Sequence, residues 1–217
     1  MAWFRRTKTY DRSRLLAQAA RARSKGKAKK AIAHLQKVLE HEPRNADIHR
    51  RIAPLLATAK QPAEAWASYR IAVASLIRSG FLDQAVGVLR EASGCLRRER
   101  GVWEELSEVE QQRGRPVDAH QALLDGRRQF RARRDRTDAI RLLLRARKLA
   151  PDHFDANYDL ARLLVRSGAR GPARRILEEL AASARGSRLR RARRGQLLLA
   201  PSPGALWRWL RALAGRR

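Results

Sequence analysis

Between Thr137 and Gly168 the apolar residues keep a helical rhythm that stops once and restarts. Ala139, Leu143, Ala146 and Ala150 stand three or four residues apart, which places them on one stripe of a 3.6-residue helix. Pro151 has no N–H to continue that helix, and the Pro151–Asp152 pair marks a turn. Ala156, Leu160 and Leu164 then repeat the stripe as far as Gly168, and Ala173, Ile176, Leu177 and Leu180 begin it again. A small residue opening each stripe lets two helices approach closely, so this pattern predicts a stacked helical hairpin. No stretch alternates apolar and polar residues for long enough to predict a strand.

The rhythm recurs. Alanines that open the second helix of a hairpin stand at Ala31, Ala65, Ala85, Ala119, Ala139 and Ala173, in steps of 34, 20, 34, 20 and 34. A 34-step and a 20-step together make a period of 54, on which Ile52–Ala53, Leu106–Ser107 and Leu160–Ala161 superpose. Each such unit must bury its apolar face on its neighbours, which predicts a solenoid. The 20-residue steps leave no room for a separate first helix. Pro62–Ser79 and Pro116–Arg133 are therefore each expected as one long helix serving two hairpins, longer than their neighbours among ten helices.

These residues resemble the tetratricopeptide repeats. The 34-residue step, the small residue opening the second helix, the apolar residue four later and the closing proline are carried by Ala31, Leu35, Val38 and Pro43, and again by Ala139, Leu143, Ala146 and Pro151. Trp103, Leu106 and Ser107 are similar to the family's Trp-Leu-small signature of the first helix. Closing prolines are absent after the units of Ala65, Ala85, Ala119 and Ala173. The resemblance implies an all-α, right-handed superhelical solenoid of tetratricopeptide-like helical hairpins over residues 12–184. A basic N-terminal segment, 1–11, precedes it. A basic, Pro-containing linker, 185–204, and an amphipathic Trp/Arg tail helix, 205–217, follow.

Charge changes this picture at the ends. The formal net charge is +28. Residues 1–30 hold eleven Lys/Arg against Asp11 alone, and residues 185–217 hold ten Arg and no acid. Phosphate, anionic lipid or an acidic protein segment would each suit such ends. An arginine excess over lysine of 41 to 8 reads as genome composition, but it does not explain why acids desert both ends. The N-terminal Arg5–Arg6 pair is followed by Lys8, Asp11 and Arg12 rather than an export segment, and no run approaches the ~18 apolar residues of a membrane span. The expectation is a cytoplasmic protein, or one held peripherally at a membrane. Cys95, the single cysteine, is expected as a small apolar filler.

Catalysis finds no pattern. His34, His41, His49, His120 and His153 are isolated in sequence, and P-loop, GxGxxG, GxSxG and HExxH motifs are absent. No cofactor or metal site is expected. The resemblance implies a groove lined by first helices, which makes Arg50, Arg51, Glu104, Glu108, Asp159, Arg162 and Arg166 its candidates. Asn45 and Asn157 do not reproduce the family's carboxylate-holding set. Arg127, Arg131 and Arg134, on one face of the charged helical stretch Gly126–Arg136, form a candidate anion-binding patch. In the tail, Leu206, Trp209, Leu210 and Leu213 share a face with Trp207 at its edge, expected to dock on the helix of Ile176 and Leu180.

The function these features imply is a non-catalytic protein–protein interaction scaffold that binds a partner's extended peptide or loop. Two other readings stand beside it. One is a nucleic-acid-binding protein using its basic ends, against which the run Arg185–Arg194 offers no stacking aromatic. The other is peripheral attachment to anionic membrane through the tail.

Overall fold

The computed structural model describes residues 10–214. These residues fold into twelve α-helices and one short 3-10 turn, with no strand among them. The chain divides into two compact units, Met1–Val102 and Trp103–Arg217. In the first, α1 (Arg12–Ser24), α2 (Ala28–His41), α3 (Ala46–Thr58), α4 (Pro62–Arg78) and α5 (Leu82–Cys95) each pack on the next, and α3 also touches α5. After α6 (Arg100–Gln112), the second unit runs through α7 (Pro116–Gln129), α8 (Arg136–Leu149), α9 (Phe154–Arg166), α10 (Arg170–Ser183), α11 (Gly186–Leu199) and α12 (Pro203–Ala214). There too, from α7 onward, each helix packs on its successor, and α11 reaches back to α9.

The six alanines of the 34/20 rhythm all lie at close helix contacts: none is more than 1% exposed. The second unit's core surrounds Leu142, Leu143 and Leu160, with Ile176, Leu177 and Leu180 continuing it. Helix ends repeat with the same period. Gly114 and Gly168, 54 residues apart, hold φ of +73° and +88°, the left-handed conformation that lets a helix terminate without a Cβ clash. Lys60, one period earlier, takes the same conformation with φ +63°.

Buried polar groups follow the period as well. His49 bonds the carbonyl of Pro43 at 2.9 Å, and Asn157, two periods on, donates to the carbonyl of Pro151. At the position between them stands Trp103, 7% exposed and packed on Gly126 of α7. A Cβ on Gly126 would lie 2.5 Å from Trp103 Cγ, so the large ring and the missing side chain are one packing solution.

Three expectations need correction. The first long segment is a single helix, Pro62–Arg78, 17 residues long, but α7 ends at Gln129, four residues short of the expected stop. Gly26 and Gly80 close the helices before α2 and α5 with positive φ, and the residue one period later is Arg134. Without that glycine, Phe130 leaves the helix instead, turns into the core at 4% exposure, and its carbonyl accepts from Arg127 Nη1 at 3.1 Å. The segment from Phe130 to Asp135 becomes a loop ending in the 3-10 turn Arg133–Asp135. Second, residues 186–199, expected within a basic linker, form α11, a helix additional to the ten of residues 12–184 and to the expected tail helix. Ala192 is fully buried there, and Gly195 brings α11 onto Leu177 of α10. Third, Cys95 is exposed, with Sγ 4.0 Å from the Tyr69 hydroxyl, rather than an interior filler. Residues 1–9 of the expected basic N-terminal segment lie outside the described residues.

Candidate functional site

Asp155, Asp159, Arg162 and Arg166 repeat at three- and four-residue steps along α9 and so share one face of it. Both acids on that face are taken by neighbouring helices. Arg127 of α7 places Nε 2.9 Å from Asp159 Oδ2, off the direction of its N–H, and Arg191 of α11 donates to Asp155 Oδ1 at 2.7 Å. Arg191 also lies over the Tyr158 ring, 4.8 Å from its centroid, and over Phe154 at 5.3 Å. Arg162 and Arg166 are exposed and have no acidic partner among the described residues.

The acidic face of α6 is spent in the same way. Arg145 of α8 reaches Glu104 at 3.5 Å and Glu108 at 2.5 Å. Each pair, being partly exposed, adds little stability, and the single Arg145 guanidinium offsets one of the two glutamate charges it bridges. The uncompensated charge left on α9 is cationic. In the first unit, exposed Arg50 and Arg51 line a cleft with Arg23, Asp47 and Glu91. An adjoining apolar cleft is lined by Leu16, Ala19, Leu35 and Leu55, with Arg51 at its edge.

The expected patch of Arg127, Arg131 and Arg134 does not form as a helical face, because α7 stops before Arg131. Arg134 is 78% exposed and turns to Asp135 at 3.6 Å. The loop instead gathers a different set: Arg127, Arg131, Arg133, Arg136 and Arg166 line one cleft of about 260 Å3 beside Phe130. Backbone carbonyls hold three of these side chains. Arg127 donates to Phe130, Arg131 Nε to Arg128 at 2.9 Å, and Arg136 to Arg166. Sequence spacing could not bring Arg166 to this cleft, since it arrives from the far end of α9. The missing glycine at position 134 was the readable sign that the loop departs from the repeat.

The tail docks on a different helix from the one expected. α12 packs on α11, and the residue it buries is Ala205, at 3%. Trp209 and Leu213 are half-buried, while Leu206 (43% exposed), Trp207 (63%) and Leu210 (44%) face solvent. The face that turns inward is the one of Ala205, Trp209, Ala212 and Leu213, so only half of the expected apolar face is covered.

Among the histidines, only His120 and His153 come together, with ring centroids 4.8 Å apart. Burial, and then His153, push the pKa of His120 below its ordinary value. No three His, Cys, Asp or Glu side chains among the described residues converge as metal ligands would.

Residues 130–194 match the family model of the tetratricopeptide repeat, a span that includes α8 to α10 and most of α11. Solved structures similar to this chain include MamA, 18% identical, with 94% of this chain and 90% of that chain covered and a TM-score of 0.32. A tetratricopeptide repeat protein from Parabacteroides merdae is 13% identical over 95% of this chain and 93% of its own, with a TM-score of 0.35. The pilF protein of Pseudomonas aeruginosa is 20% identical over 93% and 88%, with a TM-score of 0.31. Comparison with curated proteins finds no match.

Proposed function

We propose that this all-helical chain, whose residues 130–194 match the tetratricopeptide repeat, is a non-catalytic scaffold whose partner presents an acidic extended peptide or loop. The observation that carries this reading is the pairing on α9: both acids of its face are occupied by Arg127 and Arg191, which leaves Arg162 and Arg166 open. The α9 face, mixed in charge along the sequence, is therefore cationic once Asp155 and Asp159 are paired. Complementary charge sets the encounter rate and the choice of partner more than raw affinity. Arg50 and Arg51 offer the first unit a similar, partly balanced surface beside an apolar cleft.

The test is binding of a labelled oligo-glutamate peptide to the full chain. Affinity should fall steeply with salt, and Arg162→Glu with Arg166→Glu should weaken it by about tenfold or more. Equal binding of a lysine-rich peptide would overturn the reading. Tighter binding of a single-stranded oligonucleotide than of the peptide would replace it with nucleic-acid recognition.

One observation favours a second role, attachment to an anionic membrane. The exposed stripe of Leu206, Trp207 and Leu210 is flanked on α12 by Arg208 and Arg211, neither with an acidic partner among the described residues. An apolar face edged by cations suits a headgroup boundary. No described helix is long and apolar enough to cross a membrane, so contact would be peripheral. The full chain should co-sediment with vesicles containing phosphatidylserine and not with pure phosphatidylcholine, and Trp207→Ala with Leu210→Ala should abolish this. Co-sedimentation indifferent to those substitutions would refute it.

A further inference from the structure

The arginine cleft of the second unit concentrates cationic side chains around one concave surface. Five guanidinium groups, those of Arg127, Arg131, Arg133, Arg136 and Arg166, line about 260 Å3. The acid paired to any of them is Asp159, on Arg127. The other contacts that fix them run to neutral carbonyls, of Phe130, Arg128 and Arg166, which orient a guanidinium without cancelling its charge. Arg133 and Arg166 have no side-chain partner at all among the described residues. Crowding like charges in this way is unfavourable in the empty protein, and an anion in the cleft relieves it.

We propose that this cleft is a binding site for a phosphoryl dianion, a phosphomonoester carried by a partner's side chain or by a small molecule. Three arguments select that chemistry. A phosphomonoester brings close to two negative charges and three acceptor oxygens, which several planar guanidinium forks converging from one loop and three helices can share. A lone carboxylate brings one charge and two oxygens, and would leave most of the cluster uncompensated. A nucleic-acid strand needs aromatic faces for its bases, and the cleft's one aromatic, Phe130, is 4% exposed and turned into the core. The site is also a departure from the chain's own repeat. It exists because Arg134 stands where the repeat period calls for a glycine, so α7 ends early and the loop carries Arg131 and Arg133 to the cleft.

The inference deepens the acidic-partner reading and rests on it only in sharing Arg166. The test therefore uses Arg131→Gln with Arg133→Gln, which leaves Arg162 and Arg166 in place. Inorganic phosphate is titrated into the full chain, with sodium chloride at matched ionic strength as the control, and the melting temperature is followed. The wild-type chain should show saturable stabilisation by phosphate beyond that by chloride, since a ligand that binds only the folded state raises its stability. The double variant should lose that difference, with apparent affinity weakened by about tenfold or more, while oligo-glutamate binding stays unchanged. A phosphoserine-containing peptide binding at least about tenfold tighter than its serine counterpart identifies a protein source. Free phosphoserine matching that peptide identifies a small molecule. Phosphate no better than chloride, or a phosphate effect that survives in the double variant, overturns the site. An unphosphorylated oligonucleotide that binds through Arg131 and Arg133 as tightly as the phosphopeptide does so as well. Loss of oligo-glutamate binding with phosphate stabilisation intact would defeat the acidic-peptide reading alone.

Discussion

Lys60 shows at the scale of one residue how the repeat constrains its positions. It holds φ of +63° where Gly114 and Gly168 stand one and two periods later, and a Cβ in that conformation is strained. Lys60→Gly should therefore stabilise the protein by roughly 0.5–1 kcal/mol, the reverse of the usual effect of introducing glycine. Chemical denaturation reads this directly, and a destabilised variant would show that the Lys60 side chain contributes more than its strain costs. Gly126 is the opposite case. In an exposed helix, alanine would be better than glycine by about 1 kcal/mol. Here the added Cβ meets Trp103 at 2.5 Å from Cγ and 2.7 Å from Cβ, so the buried ring or the helix must shift. Overpacking of this kind typically costs about 1–3 kcal/mol, so the clash should win and Gly126→Ala should lower stability. A more stable Gly126→Ala would mean that Trp103 swings clear of α7.

Among the elements, α11 and α12 differ sharply in what they contribute. α11 covers α10 and α9: Ala192 is fully buried, Gly195 meets Leu177, and Arg191 ties Asp155 while lying over Tyr158. α12 fully buries only Ala205 and leaves Leu206, Trp207 and Leu210 in water. A chain ending at Ala200 should thus melt close to the full-length protein. One ending at Ala184 should be destabilised by several times as much, on the order of 2–5 kcal/mol, because it exposes the Leu177 and Tyr158 surface. Equal losses from the two truncations would mean that α12, rather than α11, covers the end of the helical array. An isolated helix as short as α12 is marginal in water, so its order depends on α11 beneath it.

For the molecule as a whole, a net charge of +28 opposes compaction through self-repulsion. Internal pairs such as Arg145 with Glu104 and Glu108 relieve this locally. The stretch 185–214 contains no acid, and its arginines rely on Asp155, on aromatic rings and on solvent. Screening should therefore stabilise this protein: its melting temperature should rise as sodium chloride increases from about 0.05 to 0.5 M, where the Debye length falls well below the spacing of distant charges. A fall over that range would mean that the attractive pairs outweigh the repulsion, and the cationic surface would be less exposed than the pairing on α9 indicates.

The sequence by itself determined the helices and their packing positions. Helical period, glycine and proline stops, and the 34/20 rhythm are local properties of the chain, and all six predicted alanines are buried. It also announced the irregular loop, through the arginine at position 134, although the helix reading ran through Arg133. Residues 186–199 went unread as a helix because their apolar stripe is thin: Ala192 and Gly195 are small, and the arginines around them mask the period. Tertiary structure alone decided which charges remain free. Asp159 looks available in sequence and is paired by an arginine 32 residues earlier, while Arg166 joins a cleft built by a loop more than thirty residues before it. Charge pairing and clefts depend on contacts between helices, and helical periodicity reports which face is buried without saying what that face will meet.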